Sequence, residues 1–117
     1  MKRPMTKAVS AKTKRVKMQH KLIMTWDIIQ GQEQEYFEFL VHVFVPRMGQ
    51  LGFELTDAWV TIYGDCPQVM VTALLPDELE AERRMSQNDW HVLMDQLQGF
   101  VENLEMKLVP AQNRFQF

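Results

Sequence analysis

The stretch from residue 57 to residue 75, DAWVTIYGDCPQVMVTALL, constrains the fold more than any other part of the chain. Its two arms are rich in the Val, Ile, Thr, Tyr and Trp residues that are typical of β-strands, and a GDCP turn at residues 64–67 separates them. A single β-hairpin is at best marginally stable in water. This hairpin therefore requires further strands, and helices that cover one of its faces.

Side chains of a strand alternate between two faces, so the hairpin presents two different surfaces. One face of the second arm is purely apolar and consists of Val69, Val71, Ala73 and Leu75. The first arm places Ala58, Val60 and Ile62 on one face. Its other face carries Trp59, Thr61 and Tyr63. We predict that this aromatic and polar face of the first arm lies on the same side of the sheet as five residues of the other strands: Thr25, Asp27, Thr72, Glu105 and Lys107.

The segments before and after the hairpin supply partners. Residues 21–29 and 104–109 alternate as strands, whereas residues 32–45 have apolar side chains at helical spacing. At 100° per residue one apolar stripe of this predicted helix consists of Tyr36, Phe37, Leu40, Val43 and Phe44. Pro46 is expected to end that helix, because proline lacks an N–H and disfavours helix at the preceding residue. Gly52 is expected to cap a short further turn. The last residues, 114–117, alternate like a short edge strand.

Two capping pairs indicate helices after the hairpin. Asp77 with Glu80 has the spacing of a capping box and predicts a short helix. Ser86 with Asp89 has the same spacing and predicts a second helix over residues 87–102. The order β-α-β-β-α-β, with two helices on one face of an antiparallel four-stranded sheet, predicts a ferredoxin-like α+β sandwich.

Charge is distributed unevenly along the 117 residues. Residues 1–21 hold eight basic residues and no acid, whereas residues 22–117 hold five basic and all fifteen acidic residues, a net charge of −10. We therefore predict a flexible basic arm over residues 1–20 and a single domain over residues 21–117. The acidic body argues against nucleic-acid binding except through the arm.

The number of cysteines and the hydropathy of the sequence indicate the cellular compartment. Cys66 is the single cysteine, which excludes an intrachain disulfide and a metal site built on several cysteines. No apolar run approaches the roughly 18 residues of a membrane span. We therefore expect a cytoplasmic protein without a membrane segment.

Over about residues 21–110 the chain resembles the dimeric α+β barrel superfamily. The resemblance is carried by the strand order, by the hairpin AWVTIYGDCPQVMVTALL, and by LEAERRM preceding SQNDWHVLMDQL. The last pattern is similar to the helix entry in NIPSNAP-like, antibiotic-biosynthesis-monooxygenase-like and stress-responsive barrel proteins. The resemblance implies a homodimer whose two sheets close a barrel, with a small pocket between each sheet and its helices. Members include cofactor-independent monooxygenases, haem-degrading enzymes and lactone isomerases, and no catalytic signature here selects among them.

Five residues are candidates for a site: Trp26, Asp27, Trp59, Tyr63 and His91. The two tryptophans offer a stacking wall for a flat apolar or aromatic ligand. Tyr63, Asp27 or His91 would supply a polar contact or transfer a proton. The structural alternatives are that the Trp59 face packs against a second subunit, and that His91 with Asp95, four residues later, forms a surface ion pair.

Two classes of function are open. The first is a homodimer that binds or transforms a small apolar or aromatic molecule without a metal or other cofactor, and an enzyme of the cofactor-independent monooxygenase or isomerase kind falls in this class. The second is a non-enzymatic dimeric interaction module whose basic arm contacts a partner or an anionic surface.

Overall fold

In a computed structural model, four strands form one antiparallel sheet with the helices packed on one of its faces. The structure describes residues 18–63 and 66–111, and the side chains of residues 18–61 and 68–111. The strands are β1 (His20–Ile28), β2 (Glu54–Tyr63), β3 (Cys66–Leu75) and β4 (Val101–Pro110). Their order in the sheet is β2-β3-β1-β4, and every neighbouring pair is antiparallel. The predicted ferredoxin-like α+β fold is confirmed.

Two helical regions connect the strands. The first consists of α1 (Glu33–Phe39), a π-helical segment (Leu40–Phe44) and α2 (Val45–Gln50). The second consists of α3 (Glu78–Met85) and α4 (Asn88–Leu97). In the part of the chain that the structure describes, no helix combines the length and hydropathy that crossing a membrane requires. The predicted arm, up to residue 17, and the predicted edge strand at residues 114–117 lie outside the described residues.

Pro46 does not end the first helical region, so that prediction is wrong. The backbone is right-handed helical at both Phe44 and Val45, and the helix continues to Gln50. Pro46 is the second residue of α2. Proline is tolerated in the first turn of a helix, because the backbone N–H that it lacks would have no intrahelical partner there. The π-helical segment ends before Pro46, so Pro46 lies in the first turn of α2.

The π-helical segment changes which aromatic residues of the first helical region are buried. Tyr36 and Phe44 are both fully buried, whereas Phe37 is 47% exposed. The sequence predicts all three on one apolar stripe, because that prediction assumes a regular 100° per residue. A π-helical turn pairs residue i with residue i+5 and so accommodates one extra residue. The extra residue rotates Phe44 into the core and leaves Phe37 at the surface.

The first helical region ends in a Schellman cap, as Gly52 predicts. Gly52 has φ = +92°, the left-handed conformation that glycine adopts without steric cost. The Phe53 N–H donates to the Met48 carbonyl at 2.9 Å, and the Gly52 N–H donates to the Gly49 carbonyl at 3.0 Å. Arg84 Nη1 donates to the Gly52 carbonyl, which ties α3 to this cap.

Substituting Gly52→Ala should lower the free energy of unfolding by about 1–3 kcal/mol, because a side chain at positive φ is strained. The added Cβ would also lie 2.9 Å from Arg84 Nη1. Gly49→Ala is the matched control, since Gly49 is helical and a Cβ added there would meet no neighbouring side chain within 4 Å. That control should be neutral or stabilising by up to about 1 kcal/mol. Urea denaturation measures both changes, and equal stabilities of the two variants would contradict the cap.

The capping pairs of the second helical region behave differently from one another. Asp77 caps α3, because its Oδ1 accepts the Glu80 N–H at 2.8 Å. The Glu80 carboxylate pairs with Arg83 at 2.8 Å and Arg84 at 3.1 Å instead of completing the box. The hydrogen bond from Arg83 lowers the pKa of Glu80.

Ser86 does not cap α4, which corrects the second capping prediction. Its hydroxyl donates to the Arg83 carbonyl at 2.8 Å, so it closes the end of α3. The residue before α4 is Gln87, which makes no capping hydrogen bond with its side chain. The helix ends at Leu97 and not near residue 102, because Val101 already begins β4.

The core fills the space between the helices and one face of the sheet. Strands β1 and β3 contribute alternate side chains to it, such as Leu22, Met24, Trp26 and Ile28 from β1. The helices contribute aromatic rings, and Trp90 stacks on Phe53 with ring centroids 4.9 Å apart. The other face of the sheet carries none of the helices.

Candidate functional site

A groove of about 310 Å³ lies between the first helical region and strands β2 and β3. Its walls are mostly apolar, and they include Tyr36, Leu40, Phe44, Ala58, Val69 and Val71. Residues 55–57 of β2 also lie along the groove. Binding pockets for small molecules are likewise lined mainly by apolar side chains.

Irregularities in both walls position the groove. On the helical side, the π-helical segment contributes Leu40 and Phe44, and such segments are frequent at functional sites. On the sheet side, the β2–β3 register shifts between Leu55 and Asp57. At this β-bulge two residues lie opposite one: Asp57 is paired with Thr72, and the Thr56 hydroxyl lies 2.8 Å from the Thr72 hydroxyl. The Thr56 and Asp57 side chains therefore lie on the face of the sheet away from the helices.

Beneath the groove, Trp26 and Tyr36 form a buried hydrogen-bonded pair. Trp26 Nε1 donates to the Tyr36 hydroxyl oxygen at 3.0 Å, and both side chains are 0% exposed. An indole N–H can only donate, so the direction of this bond is fixed and the phenol hydrogen of Tyr36 is left for another acceptor. Among the described residues no acceptor bonds that hydrogen.

The environment keeps the Tyr36 phenol protonated. Burial raises the pKa of Tyr36 above its ordinary value of 10.0, because a phenolate would lose its hydration. The Trp26 ring meets the Phe44 ring edge-on at 5.7 Å, so apolar surface surrounds the pair. At neutral pH Tyr36 is therefore a neutral phenol whose oxygen accepts the hydrogen bond from Trp26.

The face of the sheet away from the helices carries the second notable surface. Trp59 on β2 lies opposite Met70 on β3, which in turn lies opposite Thr25 on β1. Trp59 is 53% exposed and Met70 is 37% exposed. The register confirms the predicted phase of the strands, since the expected polar residues share this face: Thr25, Asp27, Thr72, Glu105 and Lys107.

The sequence matches no protein-family model, and no curated protein matches it. Among solved structures, a NIPSNAP family protein from Agrobacterium tumefaciens is 22% identical, with a TM-score of 0.62 over 82% of this chain and 88% of that chain. A NIPSNAP-like domain protein from Burkholderia xenovorans is 12% identical, with a TM-score of 0.65 over 86% and 90%. The chain has a NIPSNAP-like fold.

A functionally described protein shares this NIPSNAP-like fold. SnoaB from Streptomyces nogalater, a cofactor-independent oxygenase, is 15% identical, with a TM-score of 0.59 over 82% of this chain and 95% of that chain. Similarities at these identities establish the fold that the sequence predicts, and the site must be argued from the residues of this chain.

The NIPSNAP-like fold separates the residues predicted to form a site. Trp26 faces the helices, whereas Asp27 and Trp59 lie on the opposite face of the sheet with β3 between them. Asp27 Oδ2 accepts a hydrogen bond from Asn103 Nδ2 at 2.8 Å. His91 lies on the exposed side of α4, and the Tyr63 side chain lies outside the described residues. The four described residues do not form one cluster, and their roles stay predictions.

Within residues 18–63 and 66–111, sequence reasoning missed the buried Tyr36 hydroxyl, which accepts the hydrogen bond from Trp26 beneath the groove. One signal was available, because Tyr36 stands within the apolar stripe of a predicted helix, where a buried hydroxyl needs a partner. The identity of that partner, Trp26, could not be read from local spacing. In the same described part of the chain, no group of three or more His, Cys, Asp or Glu residues is arranged to hold a metal ion.

Proposed function

We propose that this protein is a cytoplasmic homodimer that binds a small apolar or aromatic molecule in the groove between its first helical region and strands β2 and β3. The observation that carries the proposal is the groove itself, about 310 Å³ with mainly apolar walls. This volume lies at the lower end of the range for ligand pockets, about 300–1,000 Å³. It suits a small molecule of two or three aromatic rings.

Charge favours a neutral or cationic ligand. No lysine or arginine is among the described residues that line the groove. Residues 22–117 carry a net charge of −10, which disfavours the approach of anions. The ligand is therefore an uncharged or cationic molecule whose binding is driven by burial of its apolar surface.

The groove supports a binding role more directly than a reaction type. SnoaB, with the same fold, is described as a cofactor-independent oxygenase, so the fold is compatible with chemistry that needs no cofactor. No histidine is among the described residues that line the groove of this chain. A reaction here would depend on the reactivity of the ligand and on hydrogen bonding by the protein.

The homodimer is proposed from the open face of the sheet. Trp59 and Met70 are exposed there side by side, while Ile23 and Leu74 are half-buried beside them. An exposed apolar patch of this kind is typical of an interface. A second copy fits this face, since two-fold packing of identical sheets covers both patches at once. The alternative role of the basic arm in contacting a partner stays a prediction, because residues 1–17 lie outside the described residues.

The groove can be tested by filling it. N-phenyl-1-naphthylamine is a neutral aromatic probe, a naphthalene and a phenyl ring joined by one nitrogen, and its fluorescence increases when it binds in an apolar site. Ala58→Trp places a ring in the groove from β2, and it should weaken probe binding by at least about tenfold, or roughly 1.4 kcal/mol. Val92→Trp is the control, because Val92 lies on α4, is 40% exposed, and does not line the groove.

The titration has two informative outcomes besides the expected one. Equal binding by wild type and the Ala58→Trp variant would place the probe elsewhere and remove the groove as the site. An equal loss in both tryptophan variants would indicate a general disturbance of the fold. Circular dichroism of each variant checks that the fold is retained.

A further inference from the structure

We infer that the outer edge of β2 is a second contact surface between copies of this chain, in which two β2 strands pair antiparallel about a two-fold axis at Val60. The pairing joins two sheets into one, and each copy closes the open side of the other copy's groove. The closure of the groove rests on the proposed function, whereas the strand pairing stands on the edge alone.

The two edges of the sheet differ in how they are protected. Strands β2 and β4 are the outer strands. On β4 the side chains of Glu105 and Lys107 are charged, Pro110 lacks an N–H, and the register with β1 shifts. Charges, prolines and irregularities of this kind prevent unwanted pairing of edge strands. Beyond its bulge, β2 has the sequence AWVTI at residues 58–62, with neither charge nor proline, so this edge is open to pairing.

The backbone of β2 supplies hydrogen-bonding groups for a further strand. In the part of the chain that the structure describes, β2 pairs with one strand, β3. In an antiparallel pair only alternate residues bond across to the neighbouring strand, so the other residues direct their N–H and C=O groups outward. A row of such groups binds another strand readily.

Apolar side chains flank this edge on the side of the helices. Val60 is 55% exposed, Phe37 is 47% exposed and Val45 is 44% exposed, and all three line the groove. They therefore form the open side of the groove, at the margin of the sheet. Exposed apolar residues that lie together are typical of a contact with another molecule. A copy that pairs with β2 covers them and closes the groove.

The sequence of the edge fits a second copy of itself. A two-fold axis at Val60 places Val60 opposite Val60 and Trp59 opposite Thr61, and β-branched and aromatic residues are favourable cross-strand neighbours. Asp57 then lies opposite residue 63, so the acidic side chains of the two copies do not meet. An axis at Asp57 would instead place two carboxylates opposite each other.

Edge pairing is compatible with the proposed dimer through the open face of the sheet. Pairing about an axis perpendicular to the sheet keeps the helices of both copies on one side and leaves the open face uncovered. Two different two-fold contacts close a tetramer. A single pair of strands makes a small contact, and contacts below about 1,200 Å² are weak. The edge therefore pairs at a higher protein concentration than the open face requires.

Disulfide trapping tests the pairing. In a Cys66→Ser background, Val60→Cys places one thiol at the proposed axis, where opposite Cβ atoms lie about 4.5–5.5 Å apart, within reach of a disulfide after a small adjustment. Met106→Cys is the control, since Met106 is 40% exposed on the other outer strand. At about 100 µM protein, oxidation should cross-link the Val60→Cys variant at least about tenfold faster, because pairing raises the effective thiol concentration to millimolar or above.

Other outcomes of the trapping experiment overturn the inference. Equal rates for the Val60→Cys and Met106→Cys variants, measured on non-reducing gels, would show that the edge does not pair. The open-face dimer cannot produce the faster reaction, because Val60 lies opposite the buried Val69 and so faces the helices. Ala58→Cys checks the register, since residues 58 of the two copies would lie four residues apart along the strands. Faster cross-linking by Ala58→Cys than by Val60→Cys would overturn the axis at Val60.

The closure of the groove has a separate measurement. The cross-linked Val60→Cys variant should bind N-phenyl-1-naphthylamine about fivefold more tightly than the same variant when reduced, because the second copy covers part of the bound probe. Unchanged affinity after cross-linking would overturn the closure. Failure of the probe to bind wild type would overturn the proposed ligand binding, and the cross-linking rates would still decide the strand pairing.

Discussion

Replacing Phe44 by alanine should lower the free energy of unfolding by about 3–5 kcal/mol, the usual cost of removing a buried aromatic ring. Phe44 is 0% exposed. Its ring packs against those of Trp26 at 5.7 Å and Phe39 at 6.4 Å. The loss of these contacts leaves a cavity beside the Trp26–Tyr36 pair. Urea denaturation followed by circular dichroism measures the change.

Phe37→Ala is the matched control on the same helical region. Phe37 is 47% exposed, so its removal should cost less than about 1.5 kcal/mol. Residues seven apart, such as 37 and 44, lie on nearly the same side of a regular α-helix. The difference between the two variants therefore reports the unequal burial of the two rings, which follows from the π-helical segment between them. Similar losses in both variants would contradict the burial assigned to Phe44.

Replacing Trp59 by aspartate should convert a dimer into a monomer. Tryptophan residues near the centre of an interface contribute about 2 kcal/mol or more, and an unpaired charge buried in the same place adds a further cost. The dissociation constant should rise at least about thirtyfold. Sedimentation velocity over a series of micromolar concentrations measures it. The position of Trp59 on an otherwise uncovered sheet face, 53% exposed beside Met70, is the reason to expect this.

Leu79→Asp is the control for the dimer. Leu79 is 74% exposed on α3, on the side of the molecule where the helices lie. The same hydrophobic-to-acid change at this position should leave the dissociation constant unchanged. Dissociation by Leu79→Asp and not by Trp59→Asp would place the interface on the helices. A wild-type protein that sediments as a monomer at micromolar concentration would remove the homodimer proposal.

The sequence predicts those features that depend on residues close together in the chain. Alternation in the hairpin assigns Trp59 and Val71 to opposite faces of the sheet, and the register agrees. Gly52 and Asp77 mark helix ends correctly, because caps are formed by hydrogen bonds within a few residues. The strand order follows from the same local patterns together with short connections. The spacing of a capping pair does not by itself predict a helix start, since Ser86 bonds to the last turn of α3 and does not cap α4.

The tertiary structure alone decides the groove. The π-helical segment before Pro46 and the bulge at residues 55–57 are departures from regular periods, so a method that assumes those periods misses both. The hydrogen bond between Trp26 and Tyr36 joins a strand to a helix, and its existence depends on how the two pack. A residue pattern predicts the face on which a side chain lies. Which buried polar atoms meet depends on distances that only packing of the whole domain sets.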